Sequence, residues 1–271
     1  MARATINGVE LYYEMHGDQG EPVVLVHGYT GDITDWRYQI PEFAKTHRLL
    51  AFDHRGHGQS SAPTDRSAYS MLQMADDVEA LVQMAGFERY HLVGHSMGGA
   101  IVQEIALRSP GRLMSLTLHD TAHVFGLGSN PMVQQWIAER HRIAETQGMA
   151  AVANMPSPLP SPPHLSKERQ EESKRRLAKM SVDSFIGAWK GLHEWEGTAG
   201  RAQDISVLTL VIYGELDAGL IDAARFLGAA IPGATLEMIA EAGHSPQFEC
   251  PELYNAVLRR HLERNAGAAA K

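Results

Sequence analysis

The sequence predicts an α/β domain whose mostly parallel sheet is covered by helices on both faces, and three observations carry that prediction. Short apolar runs alternate with amphipathic helical stretches through roughly the first 120 residues. The alternation stops after His123 and resumes near Ile205, with helical patterns alone in between. The length of 271 residues is less than twice an average domain, which suits one large domain carrying an insertion.

Element by element, residues 9–13 (Val-Glu-Leu-Tyr-Tyr) alternate like a half-exposed strand. Residues 22–26 are continuously apolar and run into His27-Gly28, the pattern of a strand buried on both faces. Comparable runs stand at 48–52, 90–93, 115–118, 207–213 and 235–239. Helical periodicity fills 34–45, 71–85, 100–108 and 221–230, and another helix opens at Pro251. Strand–helix–strand repetition implies right-handed crossovers, and such sheets bind ligands beyond the carboxyl ends of their strands. The interruption holds three helical patterns, 131–146, 165–180 and 182–195. A joint at 155–164 with five prolines, which exclude helix and sheet, breaks the series. The expected division is a core of residues 1–122 and 206–271 with a helical cap of 123–205 over the ligand edge. Residues 266–271 read as a frayed tail.

Composition narrows the function. The net charge is −8 and the Lys and Arg are scattered, so no basic face is offered to nucleic acid. The single cysteine, Cys250, rules out an intramolecular disulfide and a thiolate zinc site. The N-terminus lacks the apolar core of a signal peptide, and no run approaches the ~18 apolar residues of a membrane span, so a cytoplasmic protein is expected. Neither G-x-x-x-x-G-K-[ST] nor G-x-G-x-x-G occurs, so no nucleotide cofactor is expected. His54/His57 and His119/Asp120/His123 are spaced tolerably for a metal but overlap the turns that follow two strand patterns, and no metal is expected.

Gly94-His95-Ser96-Met97-Gly98 matches G-x-S-x-G between a strand pattern and a helix pattern. A serine on that sharp turn is lifted to the sheet edge, with the Met97 amide placed to face an oxyanion at the helix N-terminus. The hydroxyl needs a base, and His244, in Ala242-Gly-His-Ser-Pro after the last strand, is placed for it. An acid must orient that imidazole. Asp217 ends the strand Val211-Ile-Tyr-Gly-Glu-Leu-Asp and completes the chain order Ser, Asp, His; Asp120 and Glu215 are rivals. The second oxyanion donor is expected from Tyr29 in His27-Gly-Tyr-Thr-Gly-Asp32, with His27 structural. Asp53-His-Arg-Gly-His-Gly-Gln-Ser60 reads as a scaffold turn whose Asp and Arg tie loops together.

These elements together resemble the α/β-hydrolase family over nearly the whole chain. The likeness lies in His27-Gly28, Asp53-x-Arg-Gly-x-Gly-x-Ser60, Gly94–Gly99, Gly214-Glu-x-Asp217 and Gly243-His244. It implies an α/β-hydrolase fold with eight strands, mostly parallel, and a cap inserted after the sixth. Stretches 52–60 and 69–81 look similar to enol-lactonases and small carboxylesterases. Serine at 96 argues against the aspartate-nucleophile dehalogenases and epoxide hydrolases, and His95 against ring-fission carbon–carbon hydrolases, which often carry Asn there. The expected activity is hydrolysis of a small-to-medium, apolar or aromatic carboxylic ester, with enol-lactone or carbon–carbon hydrolysis as the alternative and a non-turnover receptor as the distant one. His95 and the cap residues Trp136, Phe185 and Trp189 are expected to touch substrate. The expected partner is a small-molecule ester or lactone. A thin cap has little interior of its own to fill, so its aromatic residues should line an apolar pocket.

Overall fold

The computed structural model describes residues 2–125, 131–156 and 167–266. Eight strands form one sheet: β1 (Ala2–Ile6), β2 (Val9–His16), β3 (Pro22–Val26), β4 (Arg48–Phe52), β5 (Tyr90–His95), β6 (Leu113–His119), β7 (Thr209–Gly214) and β8 (Thr235–Ile239). Their spatial order is β1-β2-β4-β3-β5-β6-β7-β8. The first two are antiparallel to each other and β2 to β4; every other neighbouring pair is parallel. The helices are α1 (Ile40–Phe43), α2 (Met71–Met84), α3 (Met97–Arg108), α4 (Pro131–Gln147), α5 (Met149–Ala153), α6 (Lys167–Lys179), α7 (Val182–His193), α8 (Ile221–Ala230), α9 (Pro246–Glu249) and α10 (Pro251–Ala266).

The continuous apolar runs are explained by the two faces they serve. Along β3 and β4, Val24, Val26, Leu50 and Phe52 join the cluster of α2 and α3. Their neighbours Val23, Leu25, Leu49 and Ala51 join Trp36, Phe43, Tyr254, Leu258 and Leu262 on the other side. Successive residues of a strand point to opposite faces, so a strand with two covered faces has no polar phase.

Besides the short helix α9, three elements differ from the sequence reading. Ala2–Ile6 is a strand that small and polar residues hide; it pairs with β2 in register from Ala2↔Tyr13 to Ile6↔Val9. The single helix expected at 34–45 is two pieces, a 3-10 turn at Ile33–Trp36 and α1. Asp32 caps the first by accepting from Thr34 N–H at 2.9 Å, while the Asp53 carboxylate takes Ile33 N–H at 2.8 Å. Pro41 then favours a fresh helix start. The third is α5, too short for periodicity to reveal.

Helices α4 to α7 occupy the stretch between β6 and β7. Helix α7 lies close on the 3-10 turn Arg66–Tyr69, where a Cβ at Gly191 would sit 2.1 Å from the Tyr69 carbonyl. Contrary to the expectation of a coreless cap, these helices enclose an apolar cluster of Ala144, Met149, Val152, Met180, Phe185 and Ile186. Most of the proline-rich joint, 157–164, and the tail beyond 266 lie outside the described residues.

Candidate active site

Ser96 stands between β5 and α3 with φ 52° and ψ −117°, a backbone conformation that costs a non-glycine residue on the order of 1–3 kcal/mol. Its surroundings enforce it: Ser96 N–H donates to the His119 carbonyl at 3.1 Å, and Thr121 Oγ1–H donates to the Ser96 carbonyl at 2.7 Å. The turn also needs close packing, since a Cβ at Gly98 would lie 2.3 Å from the Val26 carbonyl oxygen. Strand β5, buried along its whole length, thus ends in a serine aimed at the carboxyl edge of the sheet.

Two loops converge on that hydroxyl. Ser96 Oγ–H faces His244 Nε2 at 3.0 Å, and His244 Nδ1–H donates to Asp217 Oδ2 at 2.7 Å. Asp217 sits on the turn after β7, closed by its N–H to the Gly214 carbonyl at 3.1 Å. The loop bearing His244 is strapped by Glu249, which accepts from Gly243 N–H at 2.6 Å and Ser245 N–H at 3.0 Å. Partial loss of water disfavours the imidazolium, but the hydrogen bond and charge of Asp217 outweigh it and push His244 up to about 9. Burial opposes the Asp217 carboxylate in the same way, yet the His244 pairing holds it below its usual range. Among the described residues, no acceptor takes the amide N–H of Tyr29 or Met97. Both are therefore free to donate to a developing oxyanion.

His95 borders the cavity and also supports the His244 loop. Its Nε2–H donates to the His244 carbonyl at 2.8 Å, and burial with the neighbouring His244 charge drops it to about 4, so it stays neutral. His27 is structural, with Nδ1–H donating to the Gly28 carbonyl at 2.8 Å and Nε2 accepting from His54 N–H at 3.0 Å. Asp53 ties Ile33 and Gln59, and Arg55 grips Asp77. Glu215 is exposed and accepts from Glu241 N–H at 2.9 Å, away from His244. Asp120 is fully buried and takes Gly214 N–H at 2.9 Å.

The cavity at Ser96 has a mixed polar and apolar lining. It measures about 270 Å³, and Tyr29, Thr30, Asp35, His95, Ser173, Arg176, His244, Gln247 and Phe248 are among the residues around it. Trp136, Phe185 and Trp189 do not border it. Phe185 is spent in the cluster beneath α7 and stacks on Tyr29 at 5.7 Å between ring centroids. Trp136 donates to the Pro156 carbonyl at 3.1 Å under the Arg140 guanidinium, and Trp189 lies 3.9 Å from the His193 ring. In their place α6 brings Arg176, whose Nη1 reaches Asp35 at 2.6 Å and Asp32 at 3.2 Å. Sequence reasoning missed Arg176 because its partners lie more than 140 residues away and nothing local marks the pairing.

Known proteins are similar in sequence and fold. A model of the alpha/beta hydrolase fold matches residues 21–251. A 3-oxoadipate enol-lactonase of Acinetobacter baylyi is 28% identical over 265 residues, 96% of this chain and 96% of that protein. A putative carbamate hydrolase of Azorhizobium caulinodans is 30% identical over 257 residues, 92% of this chain and 93% of that one. The acetyltransferase component of an acetoin cleaving system from Cupriavidus necator is 29% identical, but this chain spans only 68% of its length. Among solved structures, the enol-lactonase of Burkholderia xenovorans superposes with a TM-score of 0.84 at 26% identity, over 97% of this chain and 100% of that one. A thermophilic esterase of Thermogutta terrifontis gives 0.82 at 27%, over 97% and 98%. With the serine turn, the sheet order and a family match over most of its length all in agreement, this chain belongs to the alpha/beta hydrolase family.

Proposed function

We propose that the protein hydrolyses a small carboxylic ester or lactone through an acyl-enzyme, with residues 123–205 as the cap that bounds the substrate. The observation that carries this reading is the unbroken relay from Ser96 through His244 to Asp217 at 3.0 and 2.7 Å. Ser96 Oγ attacks the carbonyl carbon while His244 Nε2 takes its proton. The Tyr29 and Met97 amides hold the oxyanion, and Asp217 fixes the tautomer and stabilises the imidazolium. Collapse expels the alkoxide, which leaves with the proton from His244. Water then attacks the acyl-enzyme by the same route, releasing the acid and restoring Ser96. No described helix is long and apolar enough to cross a membrane, in keeping with a water-borne small molecule as substrate.

The modest volume favours a short substrate, and the mixed polar and apolar lining suits one that carries oxygen atoms beside an apolar part. The enol-lactonase relatives support the lactone form of this reading. The test is direct. An organophosphate should label the wild type once, at Ser96, and Ser96→Ala should keep the fold while losing roughly 10⁴-fold or more in kcat on its best ester or lactone. A loss below tenfold would sink the assignment.

A further inference from the structure

Asp120, whose Oδ1 accepts the Gly214 amide, stands beside the relay without touching Ser96 or His244 by a hydrogen bond. Its side chain is wholly buried, and its backbone adopts φ 44°, a left-handed conformation that Asp and Asn tolerate better than most residues. Its Oδ2 receives no hydrogen bond from any described residue. Ligating atoms of Asp120, Asp217 and His244 lie within 4.8 Å of one another, so two carboxyl groups meet at one imidazole.

Two carboxylates that close, one of them wholly buried, do not both ionise. Asp217 has the better claim to the charge, because His244 Nδ1–H points at it from 2.7 Å. The one cation that favours an ionised Asp120 is His244, and its Nδ1–H is already taken by Asp217 at 2.7 Å. On β6, His119 lies 3.9 Å away and is itself held neutral by burial; its ring stacks on that of His95, also neutral. From α10 comes the buried phenol of Tyr254, whose hydroxyl has no partner among the described residues. Burial, with the adjoining Asp217 charge, outweighs the opposing His244 charge and pushes Asp120 well above the usual carboxyl range.

We propose that Asp120 is a neutral carboxylic acid that donates its Oδ2–H to Asp217, a positioning residue that aims the Asp217 carboxylate at His244. This rests on the relay reading above. The hydrogen bond restrains the Asp217 carboxylate and withdraws some of its charge, so His244 remains a base. Asparagine supplies the same pattern: its Oδ1 can accept from Gly214 and its Nδ2–H can donate to Asp217.

The experiment combines infrared difference spectroscopy with kinetics on the full chain. At neutral pH, the wild-type minus Asp120→Asn spectrum should show the C=O stretch of a protonated carboxylic acid. Asp120→Asn should keep kcat/KM within about threefold and leave the acid limb of its pH profile in place, because no charge is lost. Asp120→Ala should lose about ten- to a hundredfold in kcat with KM unchanged, the effect of removing a hydrogen bond to a charged group. Its acid limb should also move upward, since the Asp217 charge then falls undiluted on His244. Carboxylate bands in the difference spectrum, or an acid limb that drops by about a unit in Asp120→Asn, would overturn the proposal. Asp217→Asn separates this from the relay reading: it should fall roughly 10⁴-fold. An active Asp217→Asn overturns both, whereas carboxylate bands with an inactive Asp217→Asn overturn the role of Asp120 alone.

Discussion

His244 carries the pH behaviour of the proposed chemistry, because it must be neutral to accept the Ser96 proton. The Asp217 pairing pushes its imidazolium up to about 9 against an ordinary 6.5. Below that value the base is protonated and idle, so kcat/KM falls as pH falls through the imidazolium pKa. The profile on a p-nitrophenyl ester should climb from neutral toward alkaline pH, with an inflection above 6.5 and toward 9. An inflection at or below 6.5 would mean that Asp217 does not hold the charged form. At this scale the sequence was most legible, because the order Ser96, Asp217, His244 is a linear signal and each residue follows a strand end. The proton on Asp120 was not legible, since it depends on two carboxyl groups from β6 and the turn after β7 meeting in space.

Among the elements, α6 brings charge to the cavity at Ser96, whereas α7 packs Phe185 and Trp189 against Tyr29, with Arg140 of α4 over Phe185. Arg37 pairs with Glu172, and Arg176 reaches across to Asp32 and Asp35. Arg176 is mostly buried, and Asp35 is 8% exposed, so deleting the guanidinium leaves a carboxylate dry and unpaired at the cavity wall. Breaking such a buried pair is far more damaging than trimming a surface one. Arg176→Ala should therefore cut kcat/KM at least tenfold, chiefly through KM. Trp136→Ala should change it by less than about threefold, as its ring lies away from the Ser96 cavity. The opposite order across an ester series would put the aromatic face against the substrate. Periodicity found the long helices to within a few residues, because an amphipathic stripe is local. It could not say which face of these helices turns toward Ser96, since the apolar cluster of Ala144, Met149 and Phe185 forms only when α4, α5 and α7 pack.

Across the whole molecule, one buried ion pair joins four separate segments. Arg55, after β4, donates from Nε and Nη2 to Asp77 on α2 at 2.7 Å each, and from Nη1 to the Ala68 carbonyl at 2.8 Å. Asn7, on the turn between β1 and β2, adds its Nδ2–H to Asp77 at 2.9 Å. The two charged side chains are 5% and 2% exposed, so neither charge has water to fall back on. Desolvation offsets most of the Coulomb gain of such a pair, but removing one partner strands the other, at a cost of about 3–5 kcal/mol. Asp77→Ala should accordingly lose that much in urea unfolding, read as a lower midpoint with the slope unchanged. The double replacement Arg55→Met with Asp77→Leu should recover most of the loss, because no charge is then left buried. A loss under about 1 kcal/mol for Asp77→Ala would show that water reaches Arg55 and that this junction does not hold the antiparallel edge of the sheet to its helical layer.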